Sequence, residues 1–355
     1  MKIGIDISQI IYGTGVSTYT ENLVKALLLQ DKKNEYLLFG GSLRRRADLK
    51  TFVSGLKGNF ESKFFPVPPT LGNILWNRLH VLPIEKLVGD LDVFHSSDWT
   101  QPPSKAFKVT TIHDLVPLKF PRHSHPKIVS AHKARIKWIK KEVDKVIVPS
   151  RATKKDLLKI GLKEKRIVII PEAPDFIFKQ AKKTEINKLK RKYRISGGYL
   201  LVVGVSPRKN TERIISAYEK MRAGLDLKLV FLGNFHKGVE QRRGVRFIGH
   251  VETKEMPVFY SGAEALVYPS LYEGFGLPVL EAFACKTPVV TSDTSSLPEI
   301  SGNAAVLVDP YNVDSIAEGI RKALDQKKGL VKKGSARIKD FSWKETARKT
   351  LEAYR

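Results

Sequence analysis

Glu273 and Glu281 flank a glycine-bearing turn in the run Ser270-Leu271-Tyr272-Glu273-Gly274-Phe275-Gly276-Leu277-Pro278-Val279-Leu280-Glu281-Ala282. The apolar run Ala265–Tyr268 reads as a strand entering the turn, and Pro278 suits the first turn of a following helix. Such a turn presents backbone N–H groups and a helix N-terminus, which together favour an anion. Gly274 and Gly276 let a ligand come close to the backbone. Glu273 precedes the helix and Glu281 lies inside it, so the two carboxylates can accept hydrogen bonds from sugar hydroxyls on either side of an amide-bound phosphate. The plain alternative has Glu273 capping the helix and Glu281 in solvent, and a glutamate pair taken alone more often serves that way.

Three further stretches carry chemistry. Gly204-Val205-Ser206-Pro207-Arg208-Lys209-Asn210 falls between a predicted strand, Tyr199–Val203, and a predicted helix, Thr211–Met221. Two cations beside a helix N-terminus suit a pyrophosphate, Lys209 as a point charge and Arg208 as a bidentate donor. A basic surface turn is the plain alternative. Tyr12-Gly13-Thr14-Gly15-Val16-Ser17 follows the first strand but lacks the third glycine of a dinucleotide fingerprint, so an oxidoreductase reading is weak. Gly15 can still bring backbone close to a phosphate or an acceptor; a tight packing turn is the alternative. Thr111-Ile112-His113-Asp114 ends a predicted strand, and His95 ends another.

The elements that must position these residues alternate along the chain. Predicted strands Lys2–Ile7, Tyr36–Phe39, Val93–His95, Val109–Ile112, Val146–Val148 and Ile167–Ile170 are separated by helical stretches that include Val16–Leu29, Pro126–Val143 and Ala152–Ile160. Strands this apolar read as buried on both faces, hence a parallel sheet covered by helices. Pro171-Glu172-Ala173-Pro174-Asp175 reads as a linker. The alternation then restarts after a basic helix, Glu185–Tyr193. With 355 residues, about two domains are expected: residues 1–172, residues 173–340, and a last helix over 341–355 able to pack back on the first domain. Two doubly wound α/β domains would face each other across a cleft at the carboxyl ends of their sheets.

The stretch 249–310 resembles the donor-binding half of the family-4 retaining glycosyltransferases, which have the two-domain GT-B fold. The resemblance runs through Phe247-Ile248-Gly249, Leu266-Val267-Tyr268-Pro269-Ser270, the Glu273–Ala282 run, Thr287-Pro288-Val289-Val290, Leu297-Pro298-Glu299 and Asp309-Pro310. It extends more loosely over nearly the whole chain. It implies that Glu273 contacts hydroxyls of the transferred sugar and Glu281 the donor ribose. It also implies that the backbone of Gly274, Phe275, Gly276 and Leu277 faces the sugar and phosphates, with Gly15 on the donor side as well. Lys209 is implied as the phosphate-contacting lysine. The family's usual arginine falls near Val205, where this chain has none, and Arg208 takes its place in our reading. His113 is implied to orient the sugar at the reaction centre, with Asp114 as helper on the acceptor side and His95 lining that side. The catalytic set is thus His113, Lys209 and Glu273.

The expected reaction is transfer of a sugar, mannosyl or glucosyl first among the candidates, from a nucleoside-diphosphate sugar to a glycan or lipid-linked acceptor, with retained configuration. No cofactor and no metal are expected. Asp90-Leu91-Asp92 has the Asp-x-Asp pattern of metal-dependent transferases but precedes a strand, on the wrong edge of the sheet. His123, His125 and His132 match no zinc spacing.

The net charge of +26 suggests an anionic partner. Its spread along the chain reads as a solvated surface, and no recognition-helix or dense aromatic-and-basic motif supports nucleic-acid binding. The helix Pro126–Val143 sets Lys133, Lys137, Lys140 and Lys141 against an apolar stripe of Val129, Ile136, Ile139 and Val143, which allows peripheral contact with an anionic membrane. No run is long enough to span one, no signal peptide is seen, and Cys285 is the lone cysteine. A cytoplasmic protein at the inner face of the membrane is therefore expected. The rival readings are a nucleotide-sugar epimerase or a phosphorylase of the same fold, and a basic nucleic-acid-binding α/β protein.

Overall fold

The structure, a computed structural model, describes residues 1–222, 226–234 and 242–355. It contains two compact units, 1–172 with 342–355, and 173–341. The change of unit falls inside the proline-bearing stretch Pro171–Asp175, where neither helix nor strand forms.

The first unit is built on seven strands: β1 (Lys2–Asp6), β2 (Glu35–Gly41), β3 (Phe60–Phe65), β4 (Val93–Ser96), β5 (Phe107–Thr111), β6 (Lys145–Val148) and β7 (Ile167–Ile169). All pair in parallel, in the order β3-β2-β1-β4-β5-β6-β7. The order reverses between β1 and β4, the position where ligands gather in such sheets. Helices α1 (Gly15–Gln30), α2 (Arg46–Ser54), α3 (Pro126–Glu142) and α4 (Arg151–Lys159) are its longer crossovers. α1 starts at a reciprocal cap: Ser17 N donates to Thr14 Oγ1 and Thr14 N to Ser17 Oγ. In α3 the stripe Val129, Ile136 and Ile139 is buried while Lys133, Lys137, Lys140 and Lys141 are exposed, as amphipathic spacing requires.

The second unit carries β8 (Gly198–Val203), β9 (Leu227–Leu232), β10 (Val245–Gly249), β11 (Ala265–Tyr268), β12 (Val289–Ser292) and β13 (Val306–Val308). They too are all parallel, in the order β10-β9-β8-β11-β12-β13, with the switch between β8 and β11. Its longer helices are α5 (Lys183–Lys192), α6 (Thr211–Met221), α7 (Met256–Gly262), α8 (Leu277–Ala284), α9 (Val313–Asp325) and α10 (Lys327–Arg337). Two apolar clusters cover the two sheet faces, one around Leu201, Tyr260 and Leu280, the other around Leu200, Ile214 and Ile320. Continuous Val/Leu strands are what two covered faces demand.

The last helix, α11 (Trp343–Ala353), belongs to the first unit. Trp343 packs edge-on against Tyr19 at 5.8 Å, and the Tyr354 hydroxyl bonds to His95 Nδ1 at 2.8 Å. Tyr354→Phe leaves that buried nitrogen without its partner and is expected to lower stability by about 1–3 kcal/mol in urea unfolding. Among the described residues, no helix is long and apolar enough to cross a membrane.

Candidate active site

In the second unit, the loops after β8 and β11 leave the sheet at its switch point, and they carry the motifs singled out above. The loop after β8 turns at Gly204, whose φ of +86° favours glycine. It ends at Asn210, held left-handed at φ +66°. The Asn210 amide donates to Pro269 O at 3.0 Å and Pro310 O at 2.6 Å, tying together the loops that follow β8, β11 and β13. Leu271 N donates to Arg208 O at 2.9 Å and adds a second tie.

These ties bring Arg208, Lys209 and Glu273 to one point. Arg208 Nη1 lies 2.8 Å from Glu273 Oε1 and also donates to Tyr272 O at 2.7 Å. Lys209 Nζ lies 2.8 Å from the same Oε1 and donates to the Tyr268 hydroxyl. The three side chains are only 20%, 15% and 12% exposed, so water screens the pairs weakly. Burial alone would raise the Glu273 pKa, but Lys209 and Arg208 outweigh it and hold the carboxyl below its ordinary value. Glu273 is therefore ionised and shared by two cations, not left to solvent.

The backbone at Glu273 is clamped as well. Glu273 N donates to Ser295 Oγ, while Ser295 and Ser296 hydroxyls donate to Glu273 O at 2.5 and 2.9 Å. Ser296 also donates to Phe275 O at 2.6 Å. Phe275 itself is a core side chain set edge-on against Phe341, which leaves its backbone as the part that a ligand can meet. Gly276 has φ +118°, and a Cβ there would stand 2.8 Å from Leu297 Cδ2. Gly276→Ala is thus expected to cost on the order of 1–3 kcal/mol and to disturb the turn, read by thermal unfolding.

Glu281, in α8, accepts from the Tyr260 hydroxyl at 2.5 Å. Burial raises its pKa to about 7, against the opposing effects of Tyr260 and Lys209. A carboxyl that binds its proton more tightly when folded adds stability below its ordinary pKa of 4.5, and loses it as pH rises through about 7. Glu281→Gln should therefore flatten the decline in stability between those pH values, an effect of up to roughly 3 kcal/mol. Identical pH profiles of unfolding in the two proteins would contradict this.

The first unit holds a second cluster. His113 follows β5, and its Nδ1 lies 2.7 Å from Glu172 Oε1. Tyr19 packs edge-on against the ring at 4.5 Å. His113 Nε2 is buried with no hydrogen-bond partner among the described residues, which is the state expected of a nitrogen kept for a ligand. Burial lowers the His113 pKa, yet Glu172, with lesser help from Asp98 and Asp114, raises it above its ordinary value. Glu172→Gln should bring it down, as histidine NMR titration would show.

Asp114 accepts from Val116 N at 2.8 Å. His95 lies on β4 with Nδ1 bonded to Tyr354 and Nε2 to Thr111 Oγ1 at 2.9 Å. Burial, then His113 and Arg135, push its pKa down to about 3, so it is a neutral ring with both nitrogens engaged inside the unit. Gly15 stands at the start of α1 without a positive φ, and a Cβ there would meet nothing within 4 Å. Neither packing nor conformation requires glycine there, and the space beside it is open.

The structure thus unites Arg208, Lys209, Glu273 and the backbone of Gly274–Leu277 in the second unit, with Glu281 further along α8. His113, His95, Asp114 and Gly15 are in the first unit. Sequence reading passed over Asn210 as an anchor, Ser295 and Ser296 as clamps, Tyr260 and Tyr268 as hydroxyl partners, and Glu172 as the His113 partner. It also missed Arg135, buried in α3 and bonded to Asp98 Oδ1 at 3.1 Å and Thr110 Oγ1 at 2.6 Å. Only the Thr294-Ser295-Ser296 run beside the end of β12 offered a visible signal. Asp92 of the Asp-x-Asp pattern accepts from Lys2 N at 2.7 Å, at the opposite end of the sheet from His113.

Known proteins share this fold. The chain is 28% identical over 288 residues to O-antigen chain mannosyltransferase B of Escherichia coli, covering 74% of each. The solved structure of Anabaena Alr3699/HepE in complex with UDP and glucose matches 99% of this chain and 98% of its own, with TM-score 0.74 and 16% identity. WaaG, a glycosyltransferase involved in lipopolysaccharide biosynthesis, matches 99% and 98% with TM-score 0.70 and 15% identity. These likenesses show the GT-B fold with its two Rossmann-like domains. Residues 13–175 match the Glycosyltransferase Family 4 model and residues 184–344 the Glycosyl transferases group 1 model. The chain belongs to the family 4, group 1 glycosyltransferases.

Proposed function

We propose that the chain transfers a hexosyl group, mannosyl or glucosyl, from a nucleoside-diphosphate sugar to a hydroxyl of a glycan or lipid-linked glycan in cell-envelope polysaccharide synthesis. In this reading transfer retains the anomeric configuration and uses no metal ion. One observation carries it: an ionised carboxylate, Glu273, bound by Lys209 and Arg208 beside the start of α8 at the switch point of the second unit. A donor pyrophosphate matches the two cations and the helix N-terminus, and a carboxylate beside it can accept sugar hydroxyls. The mannosyl assignment leans on the Escherichia coli relative and the glucosyl one on the Anabaena complex.

The chemistry needs little from the protein beyond position and charge. The bond from the anomeric carbon to the phosphate oxygen breaks, and its electron pair stays with the diphosphate. Lys209 and Arg208 stabilise the charge that grows there. The acceptor oxygen bonds to the anomeric carbon on the face being vacated, and its proton passes to the departing phosphate oxygen. His113, held by Glu172, is assigned to orient the sugar and Asp114 to the acceptor half, whereas His95, buried with both ring nitrogens bonded to Tyr354 and Thr111, keeps no group for the acceptor. The reading includes a cytoplasmic location against the inner face of the membrane, supported by the basic surface and the lone, unpaired Cys285.

NMR of the first-formed product tests the stereochemistry. The donor's anomeric configuration is expected in the product; an inverted linkage would overturn retention.

A further inference from the structure

The first unit carries an apolar groove that none of the residues discussed so far explains. It has a volume of about 420 Å³, and its walls include Ile74, Trp99, Ile128 and Ala131. That size falls within the range of small-molecule sites, roughly 300–1,000 Å³. Ile74 and Ile128 are each 42% exposed and Trp99 is 37% exposed, a concentration of apolar surface that water disfavours. Arg78 and Lys127 line the same groove, and no carboxylate does.

The groove is built on an unusual segment. Residues Asn73–Arg78 form a π-helical turn in which Leu79 N donates to Ile74 O at 2.9 Å. His80 and Leu82 follow with φ of +56° and +63°, strained values for residues with side chains. Packing over-determines this backbone. Trp76 Nε1 donates to Leu82 O at 3.1 Å, Trp138 Nε1 to Asn77 O at 2.8 Å, and His80 stacks on Trp138 at 3.5 Å. Strain and π-turns held in this way cluster at ligand sites. Here they fix the wall that carries Ile74 and Arg78 against the start of α3, which carries Lys127 and Ile128.

We propose that this groove holds the hydrocarbon chain of a phosphate-bearing, lipid-linked acceptor, with Arg78 and Lys127 facing its phosphate. The apolar walls account for the chain, and the two cations without a carboxylate account for the anion. This rests on the transferase reading above and names the acceptor class that it leaves open.

Calorimetric titration of the full chain with farnesyl phosphate, kept below its aggregation concentration, tests the proposal. Farnesol and inorganic phosphate serve as the partial ligands. Farnesyl phosphate should bind at least tenfold more tightly than either. Ile74→Glu and Ile128→Glu, both at exposed positions that the fold tolerates, should each weaken it tenfold or more. Arg78→Ala with Lys127→Ala should weaken farnesyl phosphate but not farnesol. Farnesyl phosphate affinity unchanged in both Glu variants would overturn the proposal. So would binding to anionic phosphatidylglycerol vesicles without binding to the monomeric lipid, which would mark a membrane-docking face instead. Titration of the same sample with nucleoside diphosphates keeps the two readings apart. Nucleotide binding without lipid binding defeats only the groove; lipid binding without nucleotide binding defeats the transferase reading and with it the acceptor role, leaving a lipid-phosphate site.

Discussion

Replacing Lys209 by alanine lowers kcat/KM for the nucleotide-sugar donor by about 10²–10³-fold, the cost of removing one charge-stabilising donor from a water-poor site. Lys209 Nζ stands 2.8 Å from Glu273 Oε1 and is 15% exposed, so its charge is little screened. Its proposed task is performed when the diphosphate departs, and the loss should therefore fall on kcat as well as on KM. The fold should survive, because Glu273 keeps Arg208 as a partner at 2.8 Å. Lys254→Ala is a fitting control. That lysine pairs with Glu252 at the surface, is 79% exposed, and should leave turnover unchanged. Unchanged steady-state kinetics in Lys209→Ala would remove the lysine from the site.

Glu273→Ala has the largest expected effect on both stability and turnover. It strands two mostly buried cations, and removing one partner of a buried pair costs about 3–5 kcal/mol. In thermal unfolding that corresponds to a fall on the order of 10 °C for a unit of this size. Turnover should fall strongly in the same variant, because the proposed sugar contact is lost. Glu273→Gln separates the two effects. The amide keeps the shape and one acceptor oxygen, so stability should partly return while turnover stays low. A nucleoside diphosphate should also raise the unfolding temperature of Glu273→Ala more than that of the parent chain, since the phosphates supply the missing negative charge. A Gln variant with full activity would show that the carboxylate is structural.

The sequence made the donor half more legible than the rest for a physical reason. Strands such as β8, β11 and β12 are short apolar runs bounded by glycine and proline, and they announce themselves. The motif residues then sit in the turns that such strands must be followed by. Of the edge strands, β7 and β10 carry that signature and β3 and β13 do not. Phe60–Phe65 alternates with charged residues, and Val306–Val308 is three residues long, so neither was anticipated. The π-turn at Asn73–Arg78 was equally invisible, since it arises from tertiary packing against α3. Side-chain partnerships across long sequence separation were hidden for the same reason. Glu172 reads as a linker carboxylate until the fold brings it to His113, 59 residues away. Arg135 reads as one more charge on a basic helix, yet the fold buries it completely beside Asp98 and Thr110. The expectation that Glu281 contacts a ribose could not include its raised pKa, which comes from burial in the surrounding core and outweighs the lowering effect of the Tyr260 hydroxyl.

Calorimetric titration of the full chain with GDP and UDP, repeated with Lys209→Ala, tests the central claim most directly. The claim is that Arg208, Lys209 and Glu273 form a nucleoside-diphosphate site. One of the two nucleotides should bind the parent chain, and Lys209→Ala should weaken it about tenfold or more, the size of a lost charge-assisted hydrogen bond of roughly 1.5–3 kcal/mol. Binding of neither nucleotide, or equal binding by the parent and the variant, would contradict the account.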